Sequence, residues 1–88
     1  MNIEKARRIV INPYITEKAY LLIDKDNKIT FIVSKESTKS EIKEAIKLLY
    51  GVDVKKVNTV RTAYGKKAFV KFSSPGVARD LATKLGLV

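Results

Sequence analysis

Over Lys28–Ser34 apolar and polar residues alternate with a period of two, so that Ile29, Phe31 and Val33 share one face and Thr30, Ile32 and Ser34 the other. That is the pattern of a strand with one face on a core. The period then changes. Ile42, Ala45, Ile46 and Leu49 fall at i, i+3, i+4 and i+7, which predicts an amphipathic helix over Thr38–Tyr50, opened by a Thr38/Glu41 capping box and closed by Gly51. Before these elements, Ile9, Val10 and Ile11 predict a strand over Arg7–Asn12 that Pro13 stops. A short helix follows, with Thr16 as N-cap, Ala19, Tyr20, Leu22 and Ile23 on one side, and turn chemistry in Asp24–Asn27. β-Branched and aromatic residues return over Val52–Thr62 and Lys66–Phe72, with Tyr64-Gly65 as a hairpin turn between them. Ser73-Ser74-Pro75 starts a last helix whose stripe is Val77, Ala78, Leu81 and Leu85, and Gly86 stops it.

The predicted order is therefore β-α-β-α-β-β-α. This is an α+β chain with a four-stranded, mostly antiparallel sheet covered by helices. At 88 residues, a single compact domain over 1–88 is expected. Hydrophobic residues make up 45% and charged residues 31%, ordinary globular usage, so a packed core is expected rather than disorder.

Charge changes the picture most. Eighteen Lys and Arg stand against nine Asp and Glu, a net charge of +9, which points to a polyanionic partner, with nucleic acid ahead of an acidic membrane or protein surface. The absence of His and Cys removes the commonest general acid/base, thiolate chemistry and the usual zinc ligands. No paired carboxylates or Gly-rich phosphate loop offset that loss, and the Asp24/Asp26 pair lacks the rest of a calcium loop. No enzyme activity, cofactor, metal or small-molecule substrate is expected. No apolar stretch approaches the ~20 residues that span a bilayer, and the charged N-terminus lacks a signal-peptide h-region, so no membrane insertion and a cytoplasmic setting are expected.

Basic residues are grouped in three places. Lys39, Lys43 and Lys47 recur every fourth residue, about 6 Å apart along one helix face, a spacing near that of a phosphate backbone and equally that of a solvated face. In the hairpin, Ala68, Val70 and Phe72 point one way and Lys67, Phe69 and Lys71 the other. An aromatic between two cations suits an unpaired base with phosphates alongside, or else packs under a helix with the lysines snorkelling past. Lys55, Lys56, Asn58, Arg61 and Thr62 add donors to the hairpin, Tyr64 stands at its tip, and the pattern breaks at Lys55-Lys56 as at a bulge. Lys5, Arg7 and Arg8 form a short basic N-terminal arm.

Five strings carry a family resemblance. Asn12-Pro13-Tyr14-Ile15-Thr16-Glu17-Lys18-Ala19, Thr38-Lys39-Ser40-Glu41-Ile42-Lys43, Leu49-Tyr50-Gly51-Val52, Val57-Asn58-Thr59 and Lys66-Lys67-Ala68-Phe69-Val70 resemble, in order and spacing, the family of the twenty-third large-subunit ribosomal protein, in a compact archaeal-like form. The resemblance implies a ribosomal RNA-binding protein of the large subunit, beside the exit of the nascent-polypeptide tunnel. Its implied neighbours are large-subunit ribosomal RNA, other large-subunit proteins, and the signal recognition particle and protein-conducting channel that dock there. It also implies RNA contacts at Lys18, Thr38, Lys39, Lys43, Asn58, Arg61, Lys66 and Lys67, and a factor-docking position at Glu17. Bacterial members carry a long extension between the last two strands. Here only Ala63-Tyr64-Gly65 stands there, so the chain is expected not to line the tunnel deeply.

Three other readings stay open on the residues alone. Ala68-Phe69-Val70-Lys71-Phe72 matches the end of the RNA-recognition-motif signature, but Lys66-Lys67 replaces its upstream part and the element order differs. A small architectural chromatin protein suits the same size and charge. A small phosphate hydrolase would need a Gly-flanked Arg cradle, which is absent.

Overall fold

A computed structural model describes residues 1–63 and 65–87; Tyr64, expected at the hairpin tip, lies outside the described residues. The element order is α1 (Ile3–Ile9), β1 (Val10–Pro13), α2 (Glu17–Asp26), β2 (Lys28–Val33), α3 (Lys39–Tyr50), β3 (Val54–Thr62), β4 (Gly65–Phe72) and α4 (Val77–Lys84). The sheet runs β1-β2-β4-β3 with every neighbouring pair antiparallel. This is the expected α+β architecture with one helix more. The connection through α3 carries the chain past the β4 position, so β2 and β3 point the same way without being neighbours.

The added helix corrects the strand expected over Arg7–Asn12. Asn2 caps α1 by accepting a 2.8 Å hydrogen bond from the Lys5 N–H, and Ala6 and Ile9 are buried three residues apart. Seven residues are too few to hold a helix in water. Contact with α3 decides the conformation, and the run Ile9-Val10-Ile11 straddles the helix end and a four-residue edge strand. Pro13 closes that strand opposite Phe31, on a sheet edge where a missing N–H is tolerated.

Helix α3 forms as its sequence requires. The Thr38 hydroxyl accepts from the Glu41 N–H at 3.1 Å, the Glu41 carboxylate accepts from the Thr38 N–H at 3.0 Å, and Gly51 ends the helix at φ 67°. Helix α4 begins differently from expectation, at Val77 after a left-handed Gly76 without a side-chain cap of its own. Asn27 supplies the missing acceptor: its Oδ1 takes the Ala78 N–H at 2.9 Å, while its Nδ2 donates to the Phe72 and Ser74 carbonyls. One left-handed residue after α2 thus ties together α2, β4 and α4.

Ile29, Phe31, Val33, Ala68, Val70 and Phe72 face the core, where they meet Ile42, Ala45 and Ile46 of α3 and Ala78, Leu81 and Ala82 of α4. Phe31 stacks on Tyr50 of α3 with ring centroids 6.1 Å apart. By the strand pleat, Lys67, Phe69 and Lys71 lie on the opposite side of the sheet. The register shift between Val54 and Lys56 is the bulge that the pattern at Lys55-Lys56 announces.

Candidate nucleic-acid interface

Strand register lays out the second sheet face in rows. Lys28, Lys71 and Lys56 stand side by side across β2, β4 and β3; Thr30, Phe69 and Asn58 form the next row; Ile32, Lys67 and Val60 form the third. Neighbouring strands are about 4.8 Å apart, so the first row sets the stems of three lysines side by side. No Asp or Glu occurs in any of the four strands. Among the described residues the ion pairs are Met1 with Glu44, Lys5 with Glu41, Lys47 with Asp53 and Arg79 with Asp24, none of which engages a lysine of these rows. Its lysines are therefore without ion-pair partners among the described residues, and Asp24 and Asp26, which share a hollow with Lys71, bring negative charge near the first row. Like charges directly opposite each other on a sheet destabilise it, and a polyanion laid across them reverses that effect.

Aromatic rings interleave with these cations. The Lys67 ammonium lies 4.8 Å from the Tyr14 ring centroid and 5.8 Å from that of Phe69. Phe69 is half-buried, and with Tyr14, Thr16, Lys18, Ala19, Leu22, Thr30 and Lys67 it lines a cleft of about 70 Å³ between the sheet and the start of α2. That volume has room for ordered water and falls well short of the ~300 Å³ at which small-molecule pockets begin. Thr30 is 2% exposed and its hydroxyl has no hydrogen-bond partner among the described residues.

The other residues singled out from the sequence fall elsewhere. Lys66 and Arg61 are opposite each other on the helix-side face, separate from Lys67. The Lys66 ammonium donates to the Ser37 carbonyl at 2.8 Å, just before α3, while Arg61 is exposed. Thr38 is engaged in its capping box, where the Thr38 N–H, ahead of the Lys5 charge, holds the Glu41 carboxyl below its ordinary pKa. Lys39 and Lys43 are exposed on α3, on the far side of the sheet, and Lys47 in the same stripe is 3.4 Å from Asp53. Arg7 and Arg8 occupy the last turn of α1 rather than an extended arm, so both are fixed at a helix C-terminus. Lys55 sits at the bulge and shares a shallow hollow with Lys71, Asp24 and Asp26. Lys18 reaches the Tyr14 cleft. Glu17 is exposed in the first turn of α2, beside Ile15, Tyr20 and Leu21, which are 66%, 42% and 61% exposed.

Sequence reasoning passed over Lys28, Tyr14, Thr16 and Thr30. Lys28 was visible in the alternation of its strand. Its place beside Lys71 depends on a pairing between segments more than forty residues apart, which periodicity does not encode. Among the described residues no group of three or more His, Cys, Asp or Glu could hold a metal ion, and no helix is long and apolar enough to cross a membrane.

Comparison with known proteins adds a lineage to this geometry. A family model described as "Ribosomal protein L23" matches residues 8–84. The chain is 48% identical over 83 residues to "Large ribosomal subunit protein uL23" of Pyrobaculum aerophilum, covering 93% of this chain and 98% of that one. It is 39% identical over 80 residues to the protein of the same name from Methanothermobacter thermautotrophicus, covering 90% and 93%.

Proposed function

The chain belongs to the ribosomal protein L23 family, and from that premise we propose that it binds large-subunit ribosomal RNA through the open sheet face carrying Lys28, Lys56, Lys67, Phe69 and Lys71. Its role is structural, as a component of the large ribosomal subunit in the cytoplasm, and not enzymatic. The observation that carries the RNA reading is the row Lys28–Lys71–Lys56 on a sheet without acidic residues, next to an aromatic ring that a base can stack on. Asn58, in the same row as Phe69, supplies an amide for a base edge or sugar. Arg61, Lys39 and Lys43 extend phosphate contacts around the β3 edge, whereas Lys66 and Thr38 act within the fold. Neighbouring large-subunit proteins take up other parts of the surface.

The same reading puts the chain beside the nascent-chain tunnel exit, with the exposed side of α2 as a docking surface for the signal recognition particle and the protein-conducting channel. Support comes from Glu17 beside exposed Ile15, Tyr20 and Leu21, an acidic and apolar patch with little use for RNA. Only Ala63 and Tyr64 separate Thr62 from Gly65, so the hairpin has no reach into a tunnel.

Gradient sedimentation of a native lysate in low and high salt, with the chain followed by mass spectrometry, tests the assignment. Co-migration with large subunits at both salt concentrations is expected. Recovery in the free fraction or with DNA would overturn it.

A further inference from the structure

The cleft beside Phe69 holds a feature that general phosphate binding does not use. Thr30 is 2% exposed, in the middle of a strand, and its hydroxyl has no hydrogen-bond partner among the described residues. Buried hydroxyls are nearly always paired, because an unpaired one loses its water without replacement. This one lines a small cleft together with two aromatic rings and two lysines. The Lys67 side chain reaches over both rings, held by cation–π contacts that are weak at a solvent-open site. A long flexible side chain so placed is a cover that moves without disturbing the sheet.

We infer that this cleft receives one unpaired nucleobase of the bound RNA, stacked on Phe69, with its edge hydrogen-bonded to the Thr30 hydroxyl. The inference rests on the open-face reading and adds to it a subsite that opens to a base when Lys67 moves off the rings. As the base enters, the Lys67 ammonium leaves the rings for the adjoining phosphate, exchanging a cation–π contact for a charge-assisted hydrogen bond. Lys18, at the rim, faces the next phosphate along the strand. Duplex RNA keeps its bases stacked and has no base to offer, so the cleft favours single-stranded segments.

The test uses octauridylate, whose bases stack weakly on one another, and a blunt RNA duplex, with wild type and Thr30→Val. Valine keeps the side-chain shape and removes the hydroxyl, so the variant should melt no lower than wild type. Its affinity for octauridylate should fall about threefold to tenfold, the worth of one hydrogen bond, with duplex affinity unchanged. In the wild-type protein the Thr30 methyl and Phe69 ring resonances should shift on titration with octauridylate and stay in place with duplex. Unshifted resonances, unchanged octauridylate affinity, or an equal loss for both RNAs would overturn the cleft. A Lys28/Lys56/Lys71→Gln variant reports on the open face separately. If it binds both RNAs as wild type does, the face reading fails. If it loses both while Thr30→Val loses neither, the face stands and the cleft falls.

Discussion

Replacing Lys71 by glutamine should stabilise the free protein and weaken its grip on RNA at the same time. Lys71 is the centre of a row, directly opposite Lys28 on one side and Lys56 on the other. Directly opposed side chains have Cβ atoms about 5 Å apart, and a like-charge pair there costs roughly 0.2–1 kcal/mol. Two such pairs give about 0.4–2 kcal/mol, and solvent screening of half-exposed and exposed ammonium groups leaves the lower part, about 0.4–1 kcal/mol. In a domain of this size about 1 kcal/mol moves Tm by about 4–8 °C, so Lys71→Gln should melt about 2–8 °C above wild type in low salt. In molar salt the Debye length contracts to about 3 Å and the gain should vanish. RNA affinity should fall, and the slope of log affinity against log salt should flatten by about 0.7–0.9 if one phosphate contact is lost. Thermal unfolding followed by circular dichroism across a salt series, with fluorescence anisotropy on labelled RNA, measures both. A lower Tm in low salt, a gain that persists in molar salt, or an unchanged salt slope would refute the claim that this row is a site for phosphate whose lysines repel one another.

Lys66→Ala should lower stability by about 0.5–1.5 kcal/mol through loss of its bond to the Ser37 carbonyl, and leave the RNA salt slope as in wild type; a flattened slope would return Lys66 to the RNA face. Asn27→Ala removes three side-chain hydrogen bonds and a residue that, unlike alanine, tolerates φ 53°, so denaturant unfolding should show a loss of roughly 2–4 kcal/mol, and a loss under 1 kcal/mol would mean that α4 does not depend on this borrowed cap. Glu41 has a folded-state pKa below its ordinary 4.5, set first by the Thr38 N–H and next by the Lys5 charge. A depressed carboxyl stabilises the fold above the ordinary value and loses that contribution as pH falls through the folded one, so Glu41→Gln should flatten the acid limb of the stability profile. Glu17→Ala should leave RNA affinity intact and reduce retention of targeting factors on assembled subunits; parallel losses of both would dissolve the division of labour between α2 and the sheet.

Much of this protein was legible before any tertiary contact was known. The alternation over Lys28–Ser34, the helical stripe through Ile42 and Leu49, and the Thr38/Glu41 box are local patterns, and local patterns survive because each residue's neighbours along the chain set its geometry. The hairpin, its bulge at Lys55-Lys56 and the outward direction of Lys67, Phe69 and Lys71 were legible for the same reason. The net charge of +9 was legible too and pointed to a polyanionic partner, an expectation in keeping with the ribosomal protein family to which the chain belongs.

What the chain alone left undecided depends on segments meeting at a distance. A seven-residue helix at the N-terminus has too little propensity to announce itself and exists because α3 covers Ala6 and Ile9. Adjacent in sequence, Lys66 and Lys67 share a composition and part company by the pleat, one onto Ser37 and the other onto Tyr14 and Phe69. The row of Lys28, Lys71 and Lys56, the α4 cap lent by Asn27, and the unpaired Thr30 hydroxyl under Lys67 follow from strand order and register. Period along the chain determines most of the elements that form, and charge sets what class of partner is expected. Only folding in three dimensions decides which cations stand together, because register joins residues that no local pattern relates.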